Sequence, residues 1–342
     1  MDPVLKIILI IIAVIIVLLF LSYLFGDAII KRAFSRLDIQ KDSELLSYDD
    51  VKDKYERDEF NFYSKKVKLN GYIYGKNNNK LLIYVHGMCP GHTGYLSDIT
   101  YLVDLGYKVI TYDFTASGLS NGAYFYGVNQ QKYDLMSLFK YLNENEEYKN
   151  QEFFLYGHSM GGYAVAACAN KSAKIKKIVS ISGFNKPIQL LFNFIKGNKK
   201  FLAYLAFLPL HIASLFHFGL HYNESAYKSI NKSNKDIMII HGEKDETVNL
   251  KLSIYNKKDK IKNKKAIFKL MTDEYHNTHN SVIASTECVK YQRERMKLFN
   301  DELKKTKNRN LAYKKMIDGI DRFKFNVAND ELMKEIDAFY NN

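Results

Sequence analysis

Phe153-Phe154-Leu155-Tyr156-Gly157-His158-Ser159-Met160-Gly161-Gly162 is the stretch that decides the fold. An apolar run ends in Gly-x-Ser-x-Gly, and Tyr163-Ala164-Val165-Ala166-Ala167 follows with helical character. The order is strand, sharp turn, helix, with a serine on the turn. Such a turn holds its serine in a strained conformation and lifts the hydroxyl clear of a sheet. Gly157 and Gly161 suit it because a side chain at either position would collide with the neighbouring strand and helix. A bare Gly-x-Ser-x-Gly also occurs in strand-to-helix loops without chemistry. The serine gains meaning only if the chain supplies a base, an acid and an oxyanion site.

Outward from the elbow, Leu81-Leu82-Ile83-Tyr84-Val85 is a short continuous apolar run suited to a buried parallel strand. Similar runs recur at 108–112, 153–156, 178–181, 237–240 and 266–270, with helix-patterned segments at 95–105, 130–143 and 162–170. The alternation predicts an α/β fold, a mostly parallel sheet with helices on both faces. Upstream, 59–63 and 67–75 alternate apolar with polar, as antiparallel strands with one wet face do, and Asn77-Asn78-Asn79 is a turn. The connection between about 182 and 237 is too long for a simple crossover. It holds the apolar runs 188–195, 201–208 and 215–218, which predict a cap of two or three short helices over residues 184–232. A membrane-dipping hairpin is the alternative, and Lys196, Lys199, Lys200 and Pro209 argue against a full span there.

The chain has 342 residues, 47% hydrophobic and 14% aromatic, which is far too apolar for disorder. Its net charge of +13 comes from lysines scattered along the whole chain, as expected of a solvated surface. No basic-aromatic cluster, finger spacing or phosphate loop points to nucleic acid or nucleotides. Cys89, Cys168 and Cys288 are widely spaced and odd in number, so they form neither a metal pattern nor a disulfide framework. Residues 4–25 are almost unbroken Ile, Leu, Val and Phe, interrupted by Lys6, Ser22 and Tyr23. About 20 such residues cross a bilayer. Leu24-Phe25-Gly26-Asp27-Ala28 is a poor cleavage site, so an uncleaved anchor over 1–26 is expected, with a charged juxtamembrane segment over 27–56. Lys31, Arg32, Arg36 and Lys41 after the span, against Lys6 before it, favour a cytoplasmic carboxyl-terminal domain. A signal-anchored enzyme on the outer side stays open.

A serine nucleophile needs a base in hydrogen-bond reach, itself oriented by an acid, in the chain order Ser, Asp or Glu, His. After the run 237–240 comes His241-Gly242-Glu243-Lys244-Asp245-Glu246. Asp245, just past the carboxyl end of a strand, is the candidate acid, ahead of Glu243 and Glu246. The loop after the last strand offers His276 and His279. His279, just before a helical stretch, is preferred as base, and His276 stays open. Of the two oxyanion N–H groups, one should come from Met160 and the other from Met88 in His86-Gly87-Met88-Cys89-Pro90, since Pro90 cannot donate. His86 and His158 read as packing beside the glycine turns.

Together these residues resemble the α/β-hydrolases, and within them the serine hydrolases of the monoglyceride lipase and serine aminopeptidase type. The resemblance is carried by His86-Gly87, Tyr112-Asp113-Phe114-Thr115-Ala116-Ser117-Gly118-Leu119-Ser120, Gly157 to Gly161, His241-Gly242-Glu243-Lys244-Asp245 and His279-Asn280. It covers residues 57–342. It implies that Asp113 is structural and supports His279. Arg-Gly-His-Gly is usual where this chain has Thr115-Ala116-Ser117-Gly118, a departure at the pocket rim. The expected activity is a membrane-anchored carboxylic ester hydrolase acting on acyl lipids such as monoglycerides or lysophospholipids, with no cofactor or metal. The partners expected are a small-molecule ester and membrane lipid, with no nucleic acid; oligomeric state is left open. A peptidase or amidase of the same fold, or a non-catalytic binding module, are the alternatives.

Overall fold

A computed structural model describes residues 1–40, 42–196 and 200–342; Lys41 and Lys199, named above, lie outside them. The apolar amino terminus forms one helix, α1 (Pro3–Ala33), which runs on past residue 26. Among the described residues the strands are β1 (Arg57–Ser64), β2 (Val67–Tyr74), β3 (Lys80–Val85), β4 (Tyr107–Tyr112), β5 (Phe153–His158), β6 (Ile175–Ile181), β7 (Asp236–Gly242) and β8 (Ala266–Met271). They make a single sheet in the order β1-β2-β4-β3-β5-β6-β7-β8. β1 and β2 are antiparallel and β2 meets β4 antiparallel, while β3 through β8 are parallel. This is the mostly parallel α/β sheet that the strand pattern predicts, in the α/β-hydrolase arrangement that the resemblance implies.

Period-two alternation divides the strands between two cores. On β3, Leu81, Ile83 and Val85 join one cluster while Leu82 and Tyr84 join the other. α2 (Leu96–Asp104) covers the second face with Leu96, Ile99 and Leu102. The first face is covered by α3 (Gln130–Glu144) and α4 (Met160–Ala167). Between β6 and β7 lie α5 (Pro187–Lys196), α6 (Lys200–Phe218) and α7 (Ala226–Lys232), the three helices of the long connection.

The chain closes with α8 (Thr286–Thr306), α9 (Arg309–Ile317), α10 (Arg322–Phe325) and α11 (Asp330–Asn341). The sequence predicts a helical stretch from Val282, directly after the His279 loop, whereas α8 begins only at Thr286. A short 3-10 turn at Ser281–Ile283 comes first, and the Ser285 side chain then caps α8 by accepting from the Cys288 amide. The amphipathic α11 lays Leu332, Met333, Ile336, Phe339 and Tyr340 on the α2 face. Its Tyr340 hydroxyl donates to the Leu155 carbonyl at 2.8 Å, on the strand that leads to the elbow. Arg36 and Leu37, just past α1, are tied down as well: Leu37 N–H donates to the Ala116 carbonyl at 2.9 Å, and the Arg36 guanidinium reaches the Ser120 carbonyl at 2.7 Å.

Candidate active site

β5 ends at His158 and α4 starts at Met160, leaving Ser159 alone on the turn with φ 58° and ψ −116°. A non-glycine residue at positive φ is strained. The strain is held by Ser159 N–H donating to the Ile181 carbonyl at 2.8 Å and by Tyr163 N–H donating to the Ser159 carbonyl at 3.0 Å. The tightest point is Gly161, where a Cβ would sit 1.8 Å from the Val85 carbonyl oxygen. Only glycine lets the start of α4 approach β3 that closely.

Three separate loops converge on the serine. His279 Nε2 lies 2.8 Å from Ser159 Oγ, and its Nδ1 lies 2.7 Å from Asp245 Oδ2. Asp245 follows β7; its other oxygen accepts from Thr247 N–H at 3.0 Å and Val248 N–H at 2.7 Å. Burial alone would raise the Asp245 pKa, but the His279 bond and charge and the Val248 N–H outweigh it and hold the carboxyl below its ordinary range. Ionised, it favours the tautomer with Nδ1–H donating to Asp245, which leaves Nε2 free to accept from Ser159 Oγ–H. His276 is elsewhere: its Nδ1 is 2.8 Å from Asp273 of its own loop. Glu243 and Glu246 make no hydrogen bond or ion pair with His279 among the described residues.

The loop after β3 flanks the serine from the other side. A Cβ on Gly87 would come within 3.1 Å of Ser159 Cβ. Among the described residues, neither Met88 N–H nor Met160 N–H donates to a backbone carbonyl. Met160, in the first turn of α4, directly follows Ser159, and Met88 follows Gly87 on the loop that approaches it. The loop is pinned by Asp113, fully buried, whose Oδ1 accepts from His92 N–H at 2.8 Å and whose Oδ2 accepts from Tyr72 OH at 3.0 Å and Leu119 N–H at 2.9 Å. Burial pulls the Asp113 pKa up, but His92 wins and holds it at about 2. Ser117 Oγ–H adds a bond to the Cys89 carbonyl at 2.9 Å, so the segment 115–118 that departs from the usual pattern braces this loop.

The other titratable groups nearby are unsuited to the chemistry. Burial pushes His158 down to about 3 and His86 down to about 4, which leaves both neutral and weakly basic. His158 instead positions its neighbour: Nε2 is 2.9 Å from the His279 carbonyl and Nδ1 is 2.8 Å from Tyr95 OH. Burial pushes the Cys89 thiol up to about 12, so it is no thiolate. Sequence reading missed Tyr95 and His92, which act through distant partners and carry no local signature. A cleft of about 370 Å³ opens beside Met88 and Asn280 and is walled on its far side by Phe325 and Val327.

The model of the family described as "Serine aminopeptidase, S33" matches residues 76–215. Among solved structures, the esterase Pf2001 of Pyrococcus furiosus is 20% identical over 79% of this chain and 99% of its own, with a TM-score of 0.54. In another crystal form the same esterase is 22% identical over 79% and 96% of the two chains, with a TM-score of 0.53. The acylaminoacyl peptidase of Pyrococcus horikoshii is 15% identical over 73% of this chain and 42% of its own, with a TM-score of 0.51. No curated protein matches. The strand order, the elbow and the likeness to these structures give the chain the α/β-hydrolase fold, and the family model matches the part of it that carries the elbow.

Proposed function

We propose that this chain is a membrane-anchored serine hydrolase that cleaves carboxylic esters through an acyl-enzyme. Ser159 Oγ bonds to the acyl carbon as its proton passes to His279 Nε2, and Asp245 steadies the imidazolium. The carbonyl oxygen, now an alkoxide, is stabilised by the N–H groups of Met88 and Met160. Collapse expels the alcohol, which takes the proton from His279. Water then attacks the acyl-enzyme, giving its proton to His279, and the acid leaves as Ser159 recovers its proton. The observation that carries this reading is the unbroken line from Ser159 Oγ through His279 to Asp245, two bonds of 2.8 and 2.7 Å.

Residues 1–26 are proposed as the anchor, 27–56 as the juxtamembrane segment and 57–342 as the hydrolase domain, with 184–232 its cap. The anchor and the apolar cap support an acyl lipid as substrate, a monoglyceride or lysophospholipid. Positive charge beyond the span favours a cytoplasmic domain. Amide cleavage is the second reading, favoured by the serine aminopeptidase model that matches residues 76–215. A fluorophosphonate probe should label the wild type at Ser159 and leave Ser159→Ala unlabelled. An ester series of rising chain length, run beside aminoacyl anilides, then separates the two readings. Equal turnover by wild type and Ser159→Ala would falsify the mechanism and leave a binding module.

A further inference from the structure

The helix α6 is apolar on two opposite sides. Ala203, Ala206, Leu210 and Ala213 are buried, the last three in one cluster with Ile30 of α1 and Leu191 of α5. Phe201, Tyr204, Leu205 and Leu208, at i, i+3, i+4 and i+7, face outward and are 73%, 65%, 54% and 60% exposed. Phe216 carries the stripe on, 71% exposed. No Asp, Glu, Lys or Arg interrupts residues 201–218. A helix apolar all round belongs in a core or in lipid. Here one side has its core and the other is uncovered among the described residues.

The buried side of α6 packs on α1, and Phe216 of the stripe meets α1 as well. A Cβ on Gly26 would lie 2.1 Å from the Pro209 carbonyl oxygen and 3.1 Å from Ala213 Cβ, so the two helices cross with their backbones nearly touching. Tyr23 packs on Phe216 with ring centroids 4.9 Å apart, and Asp27 Oδ1 is 2.7 Å from His217 Nε2. The level of this crossing is fixed by the sequence of α1. At ~1.5 Å per residue, the apolar run 4–25 extends about 33 Å, and a bilayer's hydrocarbon layer is about 30 Å thick. The run therefore reaches the hydrocarbon boundary at Gly26, where α6 crosses, and the first charges after it are Asp27, Lys31 and Arg32.

We propose that α6 lies flat in the membrane surface, its Phe201-to-Phe216 stripe sunk into the boundary between acyl chains and headgroups, so that cap and anchor are one bilayer-bound unit. Helices with one packed side and one apolar outer side settle at that depth, and Tyr23 and Tyr204 are residues that favour it. The cap leaves the same carboxyl edge of the sheet that carries Ser159, so an acyl ester would reach the serine from the leaflet rather than from bulk water. The placement rests on the membrane anchor proposed above.

The chain has no tryptophan, so one introduced indole reports a single position. Full-length Phe201→Trp, Leu208→Trp, Ile12→Trp and Ile267→Trp are each reconstituted into phosphatidylcholine vesicles brominated either near the carbonyl end of the acyl chain or near its terminus. Emission at 201 and 208 should be lost mainly to the shallow bromines. At 12 it should be lost mainly to the deep ones, and at 267, an exposed position on β8, to aqueous acrylamide alone. Acrylamide access without bromine quenching at 201 and 208, while 12 stays quenched, overturns the placement of α6 and leaves the anchor standing. Deep quenching at 201 and 208 overturns it in favour of a second span. Shielding from both quenchers overturns it in favour of a second copy covering the stripe. Loss of bromine quenching at 12 means the anchor itself is wrong, and the placement fails with it.

Discussion

At the scale of single residues, Ser159 sits where three constraints meet: a positive φ, a glycine two residues on that cannot gain a methyl, and an imidazole 2.8 Å away. Ser159→Ala should lower kcat/KM by about 10⁴-fold or more with folding intact. Asp245→Asn should retain the geometry and still lose about 10⁴-fold in kcat, because an amide no longer selects the tautomer with Nδ1–H toward it. The same esterase assay on His276→Ala should give near wild-type turnover, and loss comparable to Ser159→Ala there would sink the assignment of His279. Gly161→Ala tests the elbow itself. Its methyl would overlap the Val85 carbonyl, so the variant should lose at least about 2 kcal/mol in urea unfolding and show reduced probe labelling. Among these residues, the serine and its glycines were legible because the elbow is a local pattern. Its place before a helical stretch favours His279 over His276, but both lie on one loop, and the bond to Ser159 depends on how that loop passes β5.

At the scale of elements, the sheet was readable and its carboxyl-terminal cover was not. Continuous apolar runs mark parallel strands wherever they stand, because both their faces are buried. α11 has an amphipathic pattern that fits any partner face; that it closes the α2 side of the sheet, with Tyr340 bonded to the Leu155 carbonyl, is a matter of contacts some 185 residues apart in sequence. Ile336 is fully buried in that contact. Ile336→Ala should therefore cost about 2–5 kcal/mol by denaturant unfolding while leaving the Ser159 line unaltered. A variant of unchanged stability would mean that α11 is only loosely docked. The long α8 with α9 and α10 does more than extend the chain. Phe325 and Val327, which follow from it, wall the cleft beside Met88 and Asn280.

At the scale of the whole molecule, one buried carboxyl ties both halves of the second core together. Asp98 on α2 accepts from Tyr84 OH of β3 at 2.7 Å and from Tyr156 OH of β5 at 3.3 Å. Burial raises its pKa to about 7 despite those two donors. Because the folded value lies above the unfolded one of 3.8, the folded state holds this proton more tightly. Its contribution to stability is therefore fully present below about pH 4, falls as pH rises toward about 7, and is flat above that. The stability difference between wild type and Asp98→Asn should shrink across that window in a urea titration series. A difference constant from pH 4 to 8 would show that Asp98 ionises alike in the folded and unfolded chain.

The sequence by itself determined the fold class, the elbow, and the order of serine, acid and histidine along the chain. Each of those is written in short-range pattern: apolar period, glycine spacing, and the loop that follows a strand. Only the tertiary structure decided which histidine meets Ser159, that His92 and Asp113 brace the loop carrying Met88, and that α1 runs on to Ala33 and crosses the cap at Gly26. The physical reason is the same in each case. Those outcomes depend on surfaces far apart in the chain being pressed together, and a hydrophobic face specifies that it must be buried without specifying against what.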